Sequence, residues 1–290
     1  MLHGFSHDPA IHQHVFFDPQ DHSQRADSTQ DGQAPATTSA SLNTLGYSPY
    51  PLSEYLSMVF KVIASSRSPQ RASKPFIISV TGSTTEVRKC YQMIQHAQES
   101  LENALCMEIN LSCPNIAKKP PPAYSGTSML EYLRILAELP TAEGARRVAI
   151  GIKTPPYTYS GQFETLIEAL LTASTPLCPI DFITATNTLG SSLVLASTDG
   201  TPALSSASGA GVGGMAGAPL HPLALGNVKT IKEMLNAHQQ LKGIDIIGIG
   251  GVGDRAGFDR MKAVGATVVG VGTALGREGV PVFEKILNSS

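Results

Sequence analysis

From residue 75 onward, short runs of apolar, mostly β-branched residues alternate with longer segments of helical period. The runs are FIISVTG (76–82), CMEINLS (106–112), VAIGIK (148–153), PIDFITATN (179–187), IDIIGIGG (244–251) and ATVVGVGTAL (266–275). Helices are predicted between and after them, at about 85–104, 128–140, 161–173, 221–240, 254–264 and 280–288. Strands that are apolar on both faces and separated by helices indicate a parallel sheet covered by helices.

The number of strand–helix units points to one architecture. A (β/α)₈ barrel needs eight units, and the pattern from residue 75 onward shows six. Residues 1–50 contain no convincing strand–helix pair. We therefore predict an α/β fold, a TIM-type barrel that is incomplete and lacks its first two strands.

The first 40 residues differ from the rest in composition. Five of the eight histidines lie there, at His3, His7, His12, His14 and His22, in polar surroundings. No cysteine or acidic cluster completes a coordination set, so no metal site is predicted. Residues 1–40 are interpreted as a polar, flexible segment that cannot bury itself, and residues 41–290 as the barrel domain.

Composition narrows the function classes. The chain has 290 residues, a net charge of −2 and no run of Lys or Arg, which argues against a nucleic-acid partner. Its four cysteines show no CxxC spacing, so a reducing, cytoplasmic compartment is predicted. No apolar run reaches the roughly 18 residues of a membrane-spanning helix. The N-terminus shows no secretory signal.

Each predicted strand carries polar or glycine residues at its carboxyl end. In a barrel these ends share one rim, where barrel enzymes place their chemistry. A lone cysteine is more often a buried apolar residue, but Cys113 lies at such an end, between Asn110 and Asn115. The rim position makes Cys113 a candidate site residue.

Two glycine-rich turns, IGIGG and VGTALG, follow the last two strands. Many barrels bind a phosphate there with backbone N–H groups, so we predict a phosphate site. A further glycine segment, GAGVGGMAGAP (209–219), is interpreted as flexible backbone that could approach a flat ligand. No GxGxxG sequence opens a helix after the first strand, so a Rossmann dinucleotide site is not predicted.

Several motifs occur in the order in which one enzyme family has them: INLSCPN, GIKTPPY, TATNTLG, GGMAG, IIGIGGV and VGTALGREGVPVFEKI. Together they resemble the class 1 dihydroorotate dehydrogenases, most closely the 1A type. SLNTLGYSPYPLSEYL (41–56) is similar to the substrate loop of that family. The resemblance covers about residues 41–288, although INLSCPN alone is shared with related flavin barrels.

The resemblance implies an FMN-dependent enzyme of pyrimidine (UMP) biosynthesis, a homodimer, that oxidises (S)-dihydroorotate to orotate and passes electrons to soluble fumarate. Cys113 would be the catalytic base that takes a proton from C5 while hydride leaves C6 for the flavin. The implied substrate-binding residues are Asn43, Leu45, Gly46, Asn110, Asn115, Asn187 and Thr188. The implied flavin-binding residues are Lys153, Gly213, Gly214, Gly250, Gly251, Gly272 and Thr273.

Three alternatives stay open. A dihydropyrimidine-type dehydrogenase would bring Fe–S cysteine clusters, and a dihydrouridine synthase would favour a basic face for RNA. A third alternative is a truncated, inactive barrel paralogue, because the family's first strands, with their additional active-site lysine, find no match here. On that interpretation we expect the chain to retain FMN weakly.

Overall fold

The computed structural model describes residues 1–25, 37–65, 74–115, 120–139, 146–175 and 177–288. Its strands are β1 His14–Phe17, β2 Gln24–Arg25, β3 Ala40–Asn43, β4 Phe76–Val80, β5 Leu105–Asn110, β6 Ala149–Lys153, β7 Phe182–Ala185, β8 Leu189–Ser192, β9 Gly213–Gly217, β10 Asp245–Ile249 and β11 Val268–Gly270. Its helices are α1 Leu52–Ser65, α2 Thr84–Gln98, α3 Gly126–Ala137, α4 Ser160–Ala173, α5 His221–Asn236, α6 Arg255–Ala263, α7 Thr273–Glu278 and α8 Pro281–Asn288.

The larger of the two sheets is parallel and has six strands in the order β11-β10-β7-β6-β5-β4. All six strands predicted from the sequence are present in it, and at least one helix separates each from the next strand of this sheet, so the prediction of an incomplete barrel is confirmed. Among the described residues, β4 and β11 each pair with one neighbour in this sheet. The sheet is therefore open, with six of the eight strands of a barrel.

The two faces of the parallel sheet differ in polarity. On β5, Met107 and Ile109 are fully buried and pack in the main core with the helices. Glu108 and Asn110 alternate with them and point to the opposite, inner face, where Lys153 of β6 also lies. The prediction that the strands are apolar on both faces is wrong for this inner face, which carries the polar groups.

Helix α2 ends earlier than its apolar sequence pattern predicts. Ser83 and Glu86 form a capping box at its start. At its end, the Gln98 side chain donates to the carbonyls of Leu101 and Asn103 and accepts from the Leu105 N–H at 2.7 Å. These bonds hold a turn into β5, so the helix stops at residue 98 although the sequence pattern predicted residue 104.

A second, antiparallel sheet has the order β2-β1-β3-β9-β8 and was not predicted from the sequence. It has a small core of its own, formed by Val15, Phe17, Ala40, Leu42, Val194 and Leu204. Strand β1 lies inside the segment 1–40 that was interpreted as flexible, while residues 26–36 lie outside the described residues. The division at residue 40 stays a prediction.

Strand β9 corrects the interpretation of residues 209–219 as flexible throughout. It pairs with β3 over four residues, from Ala40 opposite Gly217 to Asn43 opposite Gly214. A side chain at Gly213 would collide with the Asn43 carbonyl, so glycine permits this close approach. Helix α1, which follows β3, was also not predicted. Within the described parts of the chain, no helix is long and apolar enough to cross a membrane.

A buried amide connects two strand–helix units. Asn227 of α5 is 1% exposed, and its side chain pairs with the backbone of Tyr157: Oδ1 accepts from the N–H at 2.8 Å, and Nδ2 donates to the carbonyl at 3.0 Å. Because Tyr157 follows β6, this pair fixes the backbone segment that leads from β6 to α4. Its removal leaves two buried backbone groups without a partner.

We therefore expect Asn227→Ala to lower the free energy of unfolding by about 2–4 kcal/mol, because each unpaired buried group costs about 1–3 kcal/mol. Urea denaturation followed by circular dichroism measures the change. The matched control is Asn236→Ala, at the exposed end of the same helix, which should change stability by less than about 0.5 kcal/mol. Equal effects of the two substitutions would contradict this role for Asn227.

Candidate active site at the carboxyl ends of the strands

Parallel pairing brings three polar residues into one row. Asn110 of β5 lies opposite Lys153 of β6, and Lys153 lies opposite Thr184 of β7. Residues in register on neighbouring parallel strands point to the same face. The predicted rim is therefore present, and it brings the predicted Asn110 and Lys153 side by side.

Lys153 has a carboxylate partner that the sequence analysis did not identify. Its ammonium Nζ lies 3.4 Å from Oε1 of Glu108, and the Ser79 hydroxyl donates to the same oxygen at 2.6 Å. The Glu108 side chain is 8% exposed and that of Lys153 is 21% exposed. The spacing of two residues between Glu108 and Asn110 was the available signal, because it places both on one face of a strand.

Asn115 joins the predicted substrate loop to the cysteine loop. Its Nδ2 donates to Oδ1 of Asn43 at 2.9 Å and to the carbonyl of Leu45 at 2.8 Å. Asn43 in turn donates to the Gly214 carbonyl at 3.1 Å. Gly46 follows Leu45 and packs against the ring of Phe5. These contacts bring four predicted substrate residues and one predicted flavin residue together.

Asn110, which precedes Cys113 in the chain, forms a second amide pair with Asn187. Asn187 Nδ2 donates to the Ser112 hydroxyl at 3.0 Å and to Oδ1 of Asn110 at 3.3 Å. Its own Oδ1 accepts from the Thr188 N–H at 2.8 Å. The four predicted asparagines thus form two hydrogen-bonded pairs, which flank the cysteine loop.

Cys113 is a free, half-buried thiol. Burial raises the pKa of the Cys113 thiol above its ordinary value, while a hydrogen bond from the Asn115 backbone and the positive charge of Lys153 act in the opposite direction. Tyr47 also interacts with this thiol, and burial raises the pKa of the Tyr47 phenol, which hydrogen-bonds Thr81. The Lys153 charge, at the end of the neighbouring strand, therefore favours the Cys113 thiolate, and burial opposes it.

A cavity of about 420 Å³ opens beside these groups. It lies between the substrate loop and β4, and its polar lining includes Tyr47, Ser48, Ser79, Thr81 and Asn110. A cavity of this size accommodates a small ligand. Its position gives a small molecule access to the inner face of the sheet.

The first of the two predicted phosphate turns takes a backbone conformation that favours glycine. Gly250 and Gly251 have φ values of 149° and 69°, in the region that favours glycine. The carbonyl of Gly250 bonds Nδ1 of the buried His221 at 2.7 Å, which fixes the first turn. In the second turn, Gly272 has no atom within 4 Å of the place where a Cβ would stand, so its surroundings are open.

The second turn also reaches the antiparallel sheet. The Thr273 hydroxyl is 2.8 Å from that of Ser41, next to β9. In β9, Gly214 packs against the Thr188 side chain and leaves no room for a Cβ. The structure therefore gathers the predicted glycines around the same rim, but their contacts with a flavin stay a prediction.

Two hydroxyls at the end of β7 lack partners. Among the described residues, Oγ1 of Thr184 and Oγ1 of Thr186 are buried without a hydrogen bond. Buried polar groups are nearly always paired, so these two hydroxyls are available to hydrogen-bond a polar ligand or water. Across all the residues that the structure describes, no group of three or more His, Cys, Asp or Glu side chains is arranged to hold a metal ion.

Comparison with known proteins places the chain in a family. The family model described as dihydroorotate dehydrogenase matches residues 33–289. The chain is 31% identical over 216 residues to dihydroorotate dehydrogenase (fumarate) of Lachancea kluyveri, which covers 74% of this chain and 62% of the relative. It is 28% identical over 249 residues to dihydroorotate dehydrogenase A (fumarate) of Lactococcus lactis. That match covers 85% of this chain and 71% of the relative.

The chain spans 62% of the length of the first of these relatives and 71% of the second. A crystal structure of ligand-free DHODH from Eimeria tenella superimposes with a TM-score of 0.61 at 18% identity, covering 96% of this chain and 74% of that one. That likeness concerns the fold alone. Since the family model matches residues 33–289, most of the chain, the chain belongs to the dihydroorotate dehydrogenase family.

Proposed function

We propose that this chain oxidises (S)-dihydroorotate to orotate, with FMN as cofactor and fumarate as electron acceptor. The observation that carries the proposal is the position of Cys113 between Asn110 and Asn115, each hydrogen-bonded to a second predicted asparagine, in the loop that follows β5 beside the Lys153 end of β6. The two named relatives are fumarate-type dihydroorotate dehydrogenases. The dihydropyrimidine-type alternative has no comparable support. A homodimer and a cytoplasmic location belong to the same proposal.

The residues at the rim fit a flavin. Thr184 and Thr186 offer two buried hydroxyls without protein partners, and Lys153 adds a cation in the same row as Thr184. A planar, polar heterocycle takes hydrogen bonds from such groups along its edge. The turns at Gly250 and Gly272 would hold the phosphate group through their backbone N–H groups.

A bound flavin would supply the acceptor for the hydride that leaves C6 of the substrate. Orientation of the substrate and removal of its proton would fall to groups of this protein. Asn43, Asn115, Asn110 and Asn187 would orient the planar substrate through paired donors and acceptors, and the backbone around Leu45 and Gly46 would bind its carboxylate. Sγ of Cys113 would take the proton from C5, so that the substrate loses one hydride and one proton.

The charge state of Cys113 sets the pH dependence of this step. Only the thiolate accepts the proton. Because burial raises the pKa of Cys113, more of the thiol stays protonated near neutral pH. The base becomes available as pH rises through the pKa of the Cys113 thiol in the folded protein. The rate of flavin reduction therefore rises with pH.

We predict that Cys113→Ala abolishes flavin reduction by dihydroorotate and leaves flavin binding intact, because it removes the base and no flavin contact. The rate for the unchanged protein should still be rising above about pH 8.5, the ordinary pKa of a thiol. Cys113→Ser should react only at higher pH, because a hydroxyl is a much weaker acid. Stopped-flow absorbance under anaerobic conditions measures all three rates.

The control for this experiment is Cys178→Ala, which removes a partly buried thiol that has no place in the proposed site and should leave the rate unchanged. If Cys113→Ala reduces its flavin at the rate of the unchanged protein, the base is elsewhere.

The proposed acceptor is tested separately. We predict steady-state turnover with fumarate and none with NAD⁺ or a quinone, because the sequence has no dinucleotide fingerprint and no Fe–S cysteine cluster. Orotate formation is measured by absorbance with each acceptor at equal concentration. Turnover with NAD⁺ or a quinone, with none from fumarate, would reject this part of the proposal.

A further inference from the structure

Glu108 is the acidic group of the inner face that touches the proposed site. It lies on β5 two residues before Asn110, and its side chain is 8% exposed. Its Oε1 takes a hydrogen bond of 2.6 Å from Ser79 of β4 and lies 3.4 Å from Nζ of Lys153 on β6. One carboxylate oxygen thus connects three adjacent strands.

Burying a carboxylate costs free energy unless it is paired, so Glu108 depends on its contacts with Ser79 and Lys153. The separation from Lys153 is longer than the usual distance of a charge-assisted hydrogen bond, about 2.7–2.9 Å. Lysine carries its charge on a flexible four-carbon chain and can swing between partners. Lys153 is the last residue of β6 and lies opposite Asn110, so its ammonium can turn toward Glu108 or toward the strand ends where the Cys113 loop begins.

We propose that Glu108 is a positioning residue that holds the Lys153 ammonium back on the inner face, and so limits how much positive charge faces Cys113 and the bound ring. Ser79 keeps the carboxylate in place by donating to the same oxygen. The Glu108–Lys153 pair thereby sets the electrostatics of the site without touching the substrate. This role rests on the proposed function only for the tasks given to Cys113 and Lys153.

Among the described residues, three groups act on the Cys113 thiol. Lys153 contributes the positive charge, the Asn115 backbone contributes a hydrogen bond, and Tyr47 approaches from the substrate loop. Loss of the Glu108 charge frees Lys153 to move toward the thiol. The reactivity of the thiol consequently reports on the position of the lysine, whether or not the protein turns over dihydroorotate.

The experiment is iodoacetamide alkylation of the full chain across a pH series, with the modified peptides quantified by mass spectrometry. Glu108→Gln keeps the shape and removes the charge, and we expect alkylation of Cys113 at neutral pH to become about three- to tenfold faster, because thiolate fraction follows the pKa tenfold per unit. Glu108→Asp keeps the charge but shortens its reach, so it should act in the same direction with a smaller effect. Lys153→Met should slow the reaction.

Two controls separate positioning from a general charge effect. Glu138→Gln removes a carboxylate from the exposed Arg88–Glu138 pair and should leave the Cys113 profile unchanged. Cys178 serves as the internal reference in every sample. If Lys153 carries the effect, Glu108→Gln adds nothing in a Lys153→Met background.

An unchanged Cys113 profile in Glu108→Gln, or the same acceleration with Lys153→Met present, would overturn the proposal. If Glu108→Gln does not fold, the comparison of Glu108→Asp with and without Lys153→Met gives the same decision. Failure of dihydroorotate oxidation leaves these alkylation rates measurable, so the two proposals fail separately.

Discussion

Parallel pairing between β5, β6 and β7 is the constraint on which the site depends, because it puts Asn110, Lys153 and Thr184 in one row at the carboxyl ends of the strands. The backbone register fixes their spacing before any side chain is considered. The outward residues of the same strands pack in the main core, so the row is held by a rigid sheet. Two hydrogen-bonded asparagine pairs then attach the cysteine and substrate loops to this frame.

The sequence predicted the parts of the fold that rest on local periodicity. Six apolar runs and the helices between and after them have signals of 6 to 20 residues, and the structure contains all of them. The position of Cys113 at a strand end followed from Pro114, which cannot continue a strand ladder. The four substrate asparagines followed from the family resemblance, while their pairing became clear only from the folded chain.

The antiparallel sheet could not be predicted in the same way. Strand β1 is four residues long in polar, histidine-rich surroundings, and β9 is GGMAG, which has the composition of a loop. Their pairing with β3 depends on contacts between residues as far apart as Asn43 and Gly214. Glu108 was missed for a related reason: a buried carboxylate is recognised by its partners on neighbouring strands, and the sequence does not show them.

The proposed chemistry requires a flavin at the rim, and titration of the folded protein with FMN tests for it. Quenching of flavin fluorescence gives both the stoichiometry and the affinity. We predict saturation at about one FMN per chain, with affinity lowered when Thr184 and Thr186 are both replaced by Val, which keeps their shape and removes their hydroxyls. A folded protein that binds no FMN, or binds it equally well after that double substitution, would show that the rim does not hold the flavin.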